Sequence, residues 1–242
     1  MIGFNYLGKL GQLGNQMFQY ASLKGIANQN GYNYCIPNHN EIFEDGLGNR
    51  LHIELFKPFV LENFSDLNVQ LIDKDRPVVQ EGSFHFNEEL FNNCPDWVCL
   101  HGFFQTEKYF KNIEQEIRED FRFNDDILIP CKEMMDEFGE PPLSLHIRRG
   151  DFLINSANHH NLGLDYYEKA LAEFPMEVPV LIFSDDPDWC SKQELFADDR
   201  FLVAEGNSPY VDMCLMSMCE GHIIANSSFS WWGAWLANSQ KV

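Results

Sequence analysis

The strongest constraint on the fold is a rhythm in the C-terminal half of the chain. Short apolar runs, each closed by a polar cluster, alternate there with helix-start signals. Pro141-Pro142 precedes an apolar run from Leu143 to Ile147, which reads as a strand. Asp165-x-x-Glu168 is like a capping box and predicts a helix to Phe174. Val178 to Phe183 is continuously apolar, as a strand covered on both faces is. Asp186-Pro187 and Ser208-Pro209 each put a capping residue before a proline at the first helical position. Val211, Leu215 and Met218 form a stripe on the second of these helices, and Gly221 ends it. His222 to Ala225 reads as a further strand, and Phe229 to Ala237 as a closing helix. Strands and helices in this alternation predict a parallel sheet.

The N-terminus repeats the pattern once. Ile2 to Leu7 reads as a strand, followed by Gly8, Gly11 and Gly14. A helix is expected from Asn15, with Phe18, Ala21 and Gly25 on one face, and Tyr32 to Ile36 as a second strand stopped by Pro37. Residues 38–96 are rich in Phe and Asn and show little periodicity. Trp97 to Phe103 is a candidate strand. Thr106 is a candidate N-cap for a helix carrying Tyr109, Phe110, Ile113, Ile117 and Phe121, ending near Phe123. The whole is an α/β chain of two Rossmann-like halves, with a boundary in residues 124–142.

At 242 residues and 45% hydrophobic content, the chain can bury a core without metal or disulfide staples. Its 37 acidic residues outnumber 17 basic ones, for a net charge of −20. A field of that sign repels phosphate backbones, so nucleic-acid binding and a basic membrane-surface role are excluded as expectations. No apolar run approaches the ~20 residues of a membrane span, and no signal peptide is evident. The seven cysteines lack metal-finger spacing and read as buried, reduced thiols of a cytoplasmic protein.

In the C-terminal half the polar clusters all fall just after apolar runs: His146-Ile147-Arg148-Arg149-Gly150-Asp151, Ser184-Asp185-Asp186 and Asn226-Ser227-Ser228. In open parallel sheets, ligands bind outside the carboxyl ends of the strands. Three clusters at three such ends line one crevice, which points to a nucleotide. Arginine forks grip phosphate oxygens at any working pH, so Arg148 and Arg149 are candidate phosphate ligands; the alternative is pairing with local carboxylates. Asp151 reads either as a general base or as a structural partner of Arg149, and His146 as a nucleotide contact or an internal strand histidine. Gly150 reads as the residue that allows the turn. Asp186-Pro187-Asp188 is formally a metal-holding triplet, yet helix capping accounts for it better. Asp212 is either a solvated residue or a carboxylate for guanine. Trp231, Trp232 and Trp235 read as core rather than as a sugar platform. Gly11-x-x-Gly14 departs from both the dinucleotide fingerprint and the ATPase phosphate loop.

Four blocks together resemble the alpha-1,2-fucosyltransferase family: Gly11-Gln12-Leu13-Gly14-Asn15-Gln16-Met17-Phe18-Gln19-Tyr20-Ala21, His146 to Asp151, Phe183-Ser184-Asp185-Asp186, and Asn226-Ser227-Ser228-Phe229-Ser230-Trp231-Trp232. They follow the family's order and span nearly the whole chain. Gln12 stands where relatives usually carry a second glycine. The resemblance implies a GT-B-like fold, with an acceptor-side Rossmann-like domain in 1–130 facing, across a cleft, a GDP-fucose-binding one in 131–242. It implies an inverting transfer of L-fucose from GDP-beta-L-fucose to a hydroxyl, O2, of a glycan ending in galactose, with no metal or other cofactor. By the same likeness, Arg148 binds the β-phosphate and steadies the leaving GDP. His146 and Asp212 contact the nucleoside, Ser227, Ser228 and Phe229 the diphosphate, Asn15 and Gln16 reach the donor from the N-terminal domain, and Arg149 and Asp185 complete the donor site. Asp151 is the candidate base. Relatives normally continue with a further strand and helix, whereas Val242 ends this chain soon after the Trp-rich block. The expectation is a shortened C-terminal domain, with two alternatives for function: a GDP-sugar-binding remnant of little activity, or a fucosyltransferase of another linkage.

Overall fold

The computed structural model describes residues 1–44, 50–156 and 160–237, and the chain end at Val242 lies outside them. It divides into two compact units, Met1–Asn124 and Asp125–Val242. Each is built on a four-stranded parallel sheet.

In the first unit the sheet comprises β1 (Ile2–Gly3), β2 (Tyr34–Cys35), β5 (Val78–Gln80) and β6 (Val98–His101), in the order β2-β1-β6-β5. A separate antiparallel pair, β3 (Phe43–Glu44) and β4 (Arg50–Leu51), lies in the irregular middle. The first strand is shorter than expected because the chain turns at once, Leu7 N–H donating to the Phe4 carbonyl at 3.0 Å. Helix α1 (Leu13–Gln29) starts two residues before Asn15 and is buried on nearly every side, so the amphipathic face expected there does not exist. Its Gly25 is required by close approach: a Cβ there would stand 1.9 Å from the Tyr109 carbonyl oxygen. That carbonyl belongs to a 3-10 turn, Glu107–Tyr109, which Thr106 caps. The long helix expected after Thr106 is instead two 3-10 turns followed by α3 (Glu114–Asp120). Short α2 (Glu88–Asn93) precedes β6. Lys24 and Asp120 form a buried ion pair, which Tyr20 Oη and both nitrogens of Asn63 complete by donating to the carboxylate. A buried charge survives only with such partners.

The second unit opens with α4 (Asp125–Asp136), which straddles the 130/131 boundary expected from sequence but packs on α8 (Pro209–Ser217) within this unit. The sheet runs β10-β7-β8-β9: β7 (Leu143–Ile147) and β8 (Val180–Ser184) at its centre, β9 (Phe201–Val203) and β10 (Gly221–Ile223) at its edges. Gly221 opens a strand rather than only ending a helix. One sheet face, with Leu143, Leu145, Ile147, Val180 and Ile182, packs on Tyr167 and Leu171 of α6 (Leu164–Leu171) and on Cys190 of α7 (Pro187–Cys190). Helix α6 starts one residue before Asp165, with Gly163 at its N-cap, so Asp165 sits in the first turn instead of capping. Strand pairing sets Ser144 beside His222 and His146 beside Phe183 on the opposite face. Helix α9 (Ser228–Ala237) closes the unit against α8, with Trp232 fully buried. All seven cysteines are buried and free. No helix among the described residues is long and apolar enough to cross a membrane.

Candidate active site

Chain direction alone brings the three polar clusters to one end of the second unit, because β7, β8 and β10 are parallel. The β7 exit continues into α5 (Gly150–Ile154). There Arg148 reaches two carboxylates, donating Nη2–H to Asp151 at 2.7 Å and setting Nη1 3.2 Å from Asp185. The two carboxylates differ in kind. Asp185 is anchored by the Arg149 backbone N–H at 2.8 Å and lies over Gly150, where a Cβ would stand 2.4 Å from its oxygen. Gly150 is therefore needed for this approach rather than for a turn of its own. Asp151 has 61% of its side chain in solvent and no such anchor. The Arg148 fork is thus held on one edge and loosely covered on the other.

Arg149 is placed differently. Its Nε–H donates to Asp186 at 3.0 Å and its guanidinium lies 3.7 Å over the Trp189 ring. A cation on an indole face gains ~0.5–2 kcal/mol, more as water is excluded. Arg149 pairs with a local carboxylate, that of Asp186 rather than Asp151. Asp186 also caps α7, accepting from Trp189 N–H at 3.2 Å, so capping and the arginine together occupy its carboxylate. Trp189 drew no attention in the sequence; the signal was an arginine in need of a flat partner beside a capped tryptophan.

His146 is an internal strand residue, 3% exposed, with its ring centroid 5.7 Å from that of Phe229. Burial, then the Arg148 charge, press its pKa down to about 3, so the ring is neutral at working pH. Its Nδ1 is buried without a partner. His222 shares Nδ1 with Ser144 Oγ at 3.0 Å, and burial lowers its pKa to about 4. At the β10 exit Ser227 Oγ accepts from Phe229 N–H at 3.3 Å, and Ser230 Oγ donates to the Ala225 and Ser227 carbonyls, so the serine block begins α9 by capping it. Ser228 and Phe229 are the first residues of that helix. Asp212 stands apart, in the first turn of α8, accepting from Asn207 at 3.0 Å. Burial raises its pKa to about 6.

Asn15 and Gln16 lie in the first turn of α1, in the first unit. Gln105 Nε2 donates to Asn15 Oδ1 at 2.7 Å. Gln16 is 1% exposed; its Nε2 donates to the Gly11 and His52 carbonyls and its Oε1 accepts from Glu54 N–H at 2.8 Å. That amide ties the glycine loop to residues 52–54. Asn15 remains at the strand-end face.

An arginine fork and a helix start at the carboxyl end of a parallel sheet make an α/β protein with an anion-binding type of site. The model of "Glycosyl transferase family 11" matches residues 2–242, and the chain belongs to that family, the alpha-1,2-fucosyltransferase family. It is 35% identical to an alpha-1,2-colitosyltransferase of Escherichia coli over 94% of this chain and 86% of that protein. It is 24% identical to galactoside alpha-(1,2)-fucosyltransferase 1 of Sus scrofa over 96% of this chain, spanning 65% of that longer protein. The fold resembles a POFUT1 crystal structure, determined with GDP-fucose, at a TM-score of 0.60, 11% identity and coverage of 99% of this chain and 95% of that one. It resembles the alpha-1,6-fucosyltransferase NodZ at a TM-score of 0.50, 14% identity and coverage of 93% and 89%.

Proposed function

We propose that the chain moves L-fucose from GDP-beta-L-fucose to O2 of a galactoside, with inversion and without a metal. The observation that carries this is the Arg148 fork, positioned by Asp185 and covered by a carboxylate that can leave. In this reading the units are the two halves of a GT-B-type enzyme, the first taking the acceptor and the second the donor. The seven unpaired thiols favour a reducing compartment such as the cytoplasm.

The acceptor O2 attacks C1 of fucose from the face opposite GDP. The C1–oxygen bond to the β-phosphate breaks, and its electron pair leaves on GDP. The acceptor proton passes to Asp151. Positive charge builds on the sugar and negative charge on the leaving phosphate, where a preset Arg148 is worth ~10²–10³ in rate. A phosphate on Arg148 takes the edge Asp151 occupies, so donor binding itself frees the base. Ser227, Ser228 and Phe229 supply N–H groups and a hydroxyl at the start of α9, where an anion is favoured. Asn15 and Asp212 remain contacts of donor and base. Arg149, His146 and Gln16 act as positioning residues behind Arg148, Phe229 and the glycine loop.

The colitosyl transfer named for the 35%-identical relative favours a second reading, in which colitose is the sugar moved. Titration calorimetry with GDP and UDP in EDTA, followed by turnover with fucosyl and colitosyl donors, tests both. Micromolar, guanine-selective binding with turnover in EDTA supports the site. Absence of GDP binding, or turnover only with added metal, sinks the metal-free donor site.

A further inference from the structure

The first unit also has a carboxyl sheet end, and it is held in an expensive conformation. Phe104 adopts φ +52° and Gly102 φ +152° directly after β6. A non-glycine residue in the left-handed region costs of order 1–3 kcal/mol and persists only where its surroundings over-determine it. Here they do. The Glu81 carboxylate accepts from Phe103 N–H at 2.7 Å and Phe104 N–H at 3.0 Å. Gln19 donates to the Gly102 carbonyl at 3.1 Å, and Ser22 Oγ to the Phe104 carbonyl at 3.2 Å.

What the bend achieves is the presentation of alternate residues, each against a partner from another segment. His101 meets Tyr6 edge-on, ring centroids 4.6 Å apart. Phe103 stacks on Phe84 at 6.3 Å, and Phe84 is 67% exposed. Gln105 bonds Asn15. Tyr6 is 39% exposed, and His101 Nδ1 is buried with no partner. Aromatic faces, an amide pair and an imidazole short of one hydrogen bond make a set of uncharged side chains, the nearby Glu81 carboxylate being engaged by the loop's own N–H groups. Such a set suits a neutral polyol, whose C–H face lies on a ring while its hydroxyls meet planar polar groups.

We propose that Tyr6, His101, Phe103 and Gln105 form the acceptor-sugar subsite, with Glu81 as the residue that positions the loop. This rests on the reading of the chain as a galactoside glycosyltransferase. The test uses methyl β-galactoside, observed by saturation-transfer NMR on the full chain with GDP present, beside lactose as acceptor in turnover. Saturation should be strong on wild type, and Tyr6→Ala and His101→Ala should weaken it and raise the lactose KM about tenfold or more. GDP affinity and thermal midpoint should stay at wild-type values, and Tyr6→Phe should restore binding. Glu81→Gln should raise the lactose KM with GDP affinity unchanged. Galactoside saturation that survives both alanine variants, or that is absent from a wild type that binds GDP, overturns the subsite. Saturation lost in the variants of a chain that never binds GDP leaves the subsite standing and brings down the donor reading instead.

Discussion

The two units end their parallel sheets in opposite chemistries. At the second, Arg148 and Arg149 are interleaved with Asp151, Asp185 and Asp186 in ion pairs. At the first, the residues presented are Tyr6, His101, Phe103 and Gln105, backed by Asn15. On the proposed reading, one scaffold direction yields an anion site and a polyol site. Topology decides where a ligand goes, and side chains decide which one.

The largest expected effect comes from removing the charge of one end. Arg148→Ala should lower transfer ~10³-fold, at the upper end of what a lost transition-state donor costs. Methyl β-galactoside binding should be untouched, as NMR would show. If galactoside binding fell in step with transfer, the two ends would not be independent. Asp151→Asn separates two effects at one residue. Loss of a general base costs ~10²-fold or more in turnover. The same change removes the competitor on the Arg148 edge, so calorimetry should find GDP bound a few-fold more tightly. Unchanged or weaker GDP binding would mean that Asp151 is no cover for the phosphate edge. Gly150→Ala drives a methyl into Asp185, whose oxygen would be 2.4 Å away. Donor affinity should drop about tenfold, since one lost charge-assisted bond is worth ~1.5–3 kcal/mol and part of it relaxes away. A wild-type donor affinity would show that Asp185 does not hold Arg148.

How far each end was legible follows from sequence distance. The charged end could be read because each cluster directly follows an apolar run, so strand and ligand residues are neighbours in the chain. The neutral end could not. Asn15 and Gln105 are 90 residues apart, and no local pattern announces Tyr6 beside His101. The edge strands β5 and β9 escaped notice for a related reason: at three residues each they are too short to show a period. The local roles of Gln16 and His146 were not legible either. Both sit inside ligand-like motifs, and only their burial shows that one binds backbone and the other fills the space behind Phe229.

The smallest effect concerns the pH dependence of stability, which is expected to concentrate in the charged unit. His146 and His222 are neutral in the fold, with pKa values near 3 and 4, against about 6.5 for an unfolded histidine. As pH falls below 6.5 the unfolded chain takes up protons that the fold refuses, so stability is lost on acidification. Asp212 works in the other direction. Burial raises it to about 6 from an unfolded value near 3.9. Between those values the fold holds more protons than the unfolded chain, so its contribution declines as pH rises from 4 to 6 and stays low above. Asn in its place keeps an acceptor for Asn207 and carries no charge to bury. Asp212→Asn should therefore raise the thermal midpoint by about 2–4 °C at pH 7.5, the shift that ~1 kcal/mol brings in a chain of this size, and leave it unchanged at pH 4. Differential scanning calorimetry at the two pH values measures this directly. An equal gain at both would assign the effect to packing, and a loss at pH 7.5 would mean that the ionised carboxylate is held by a partner stronger than Asn207.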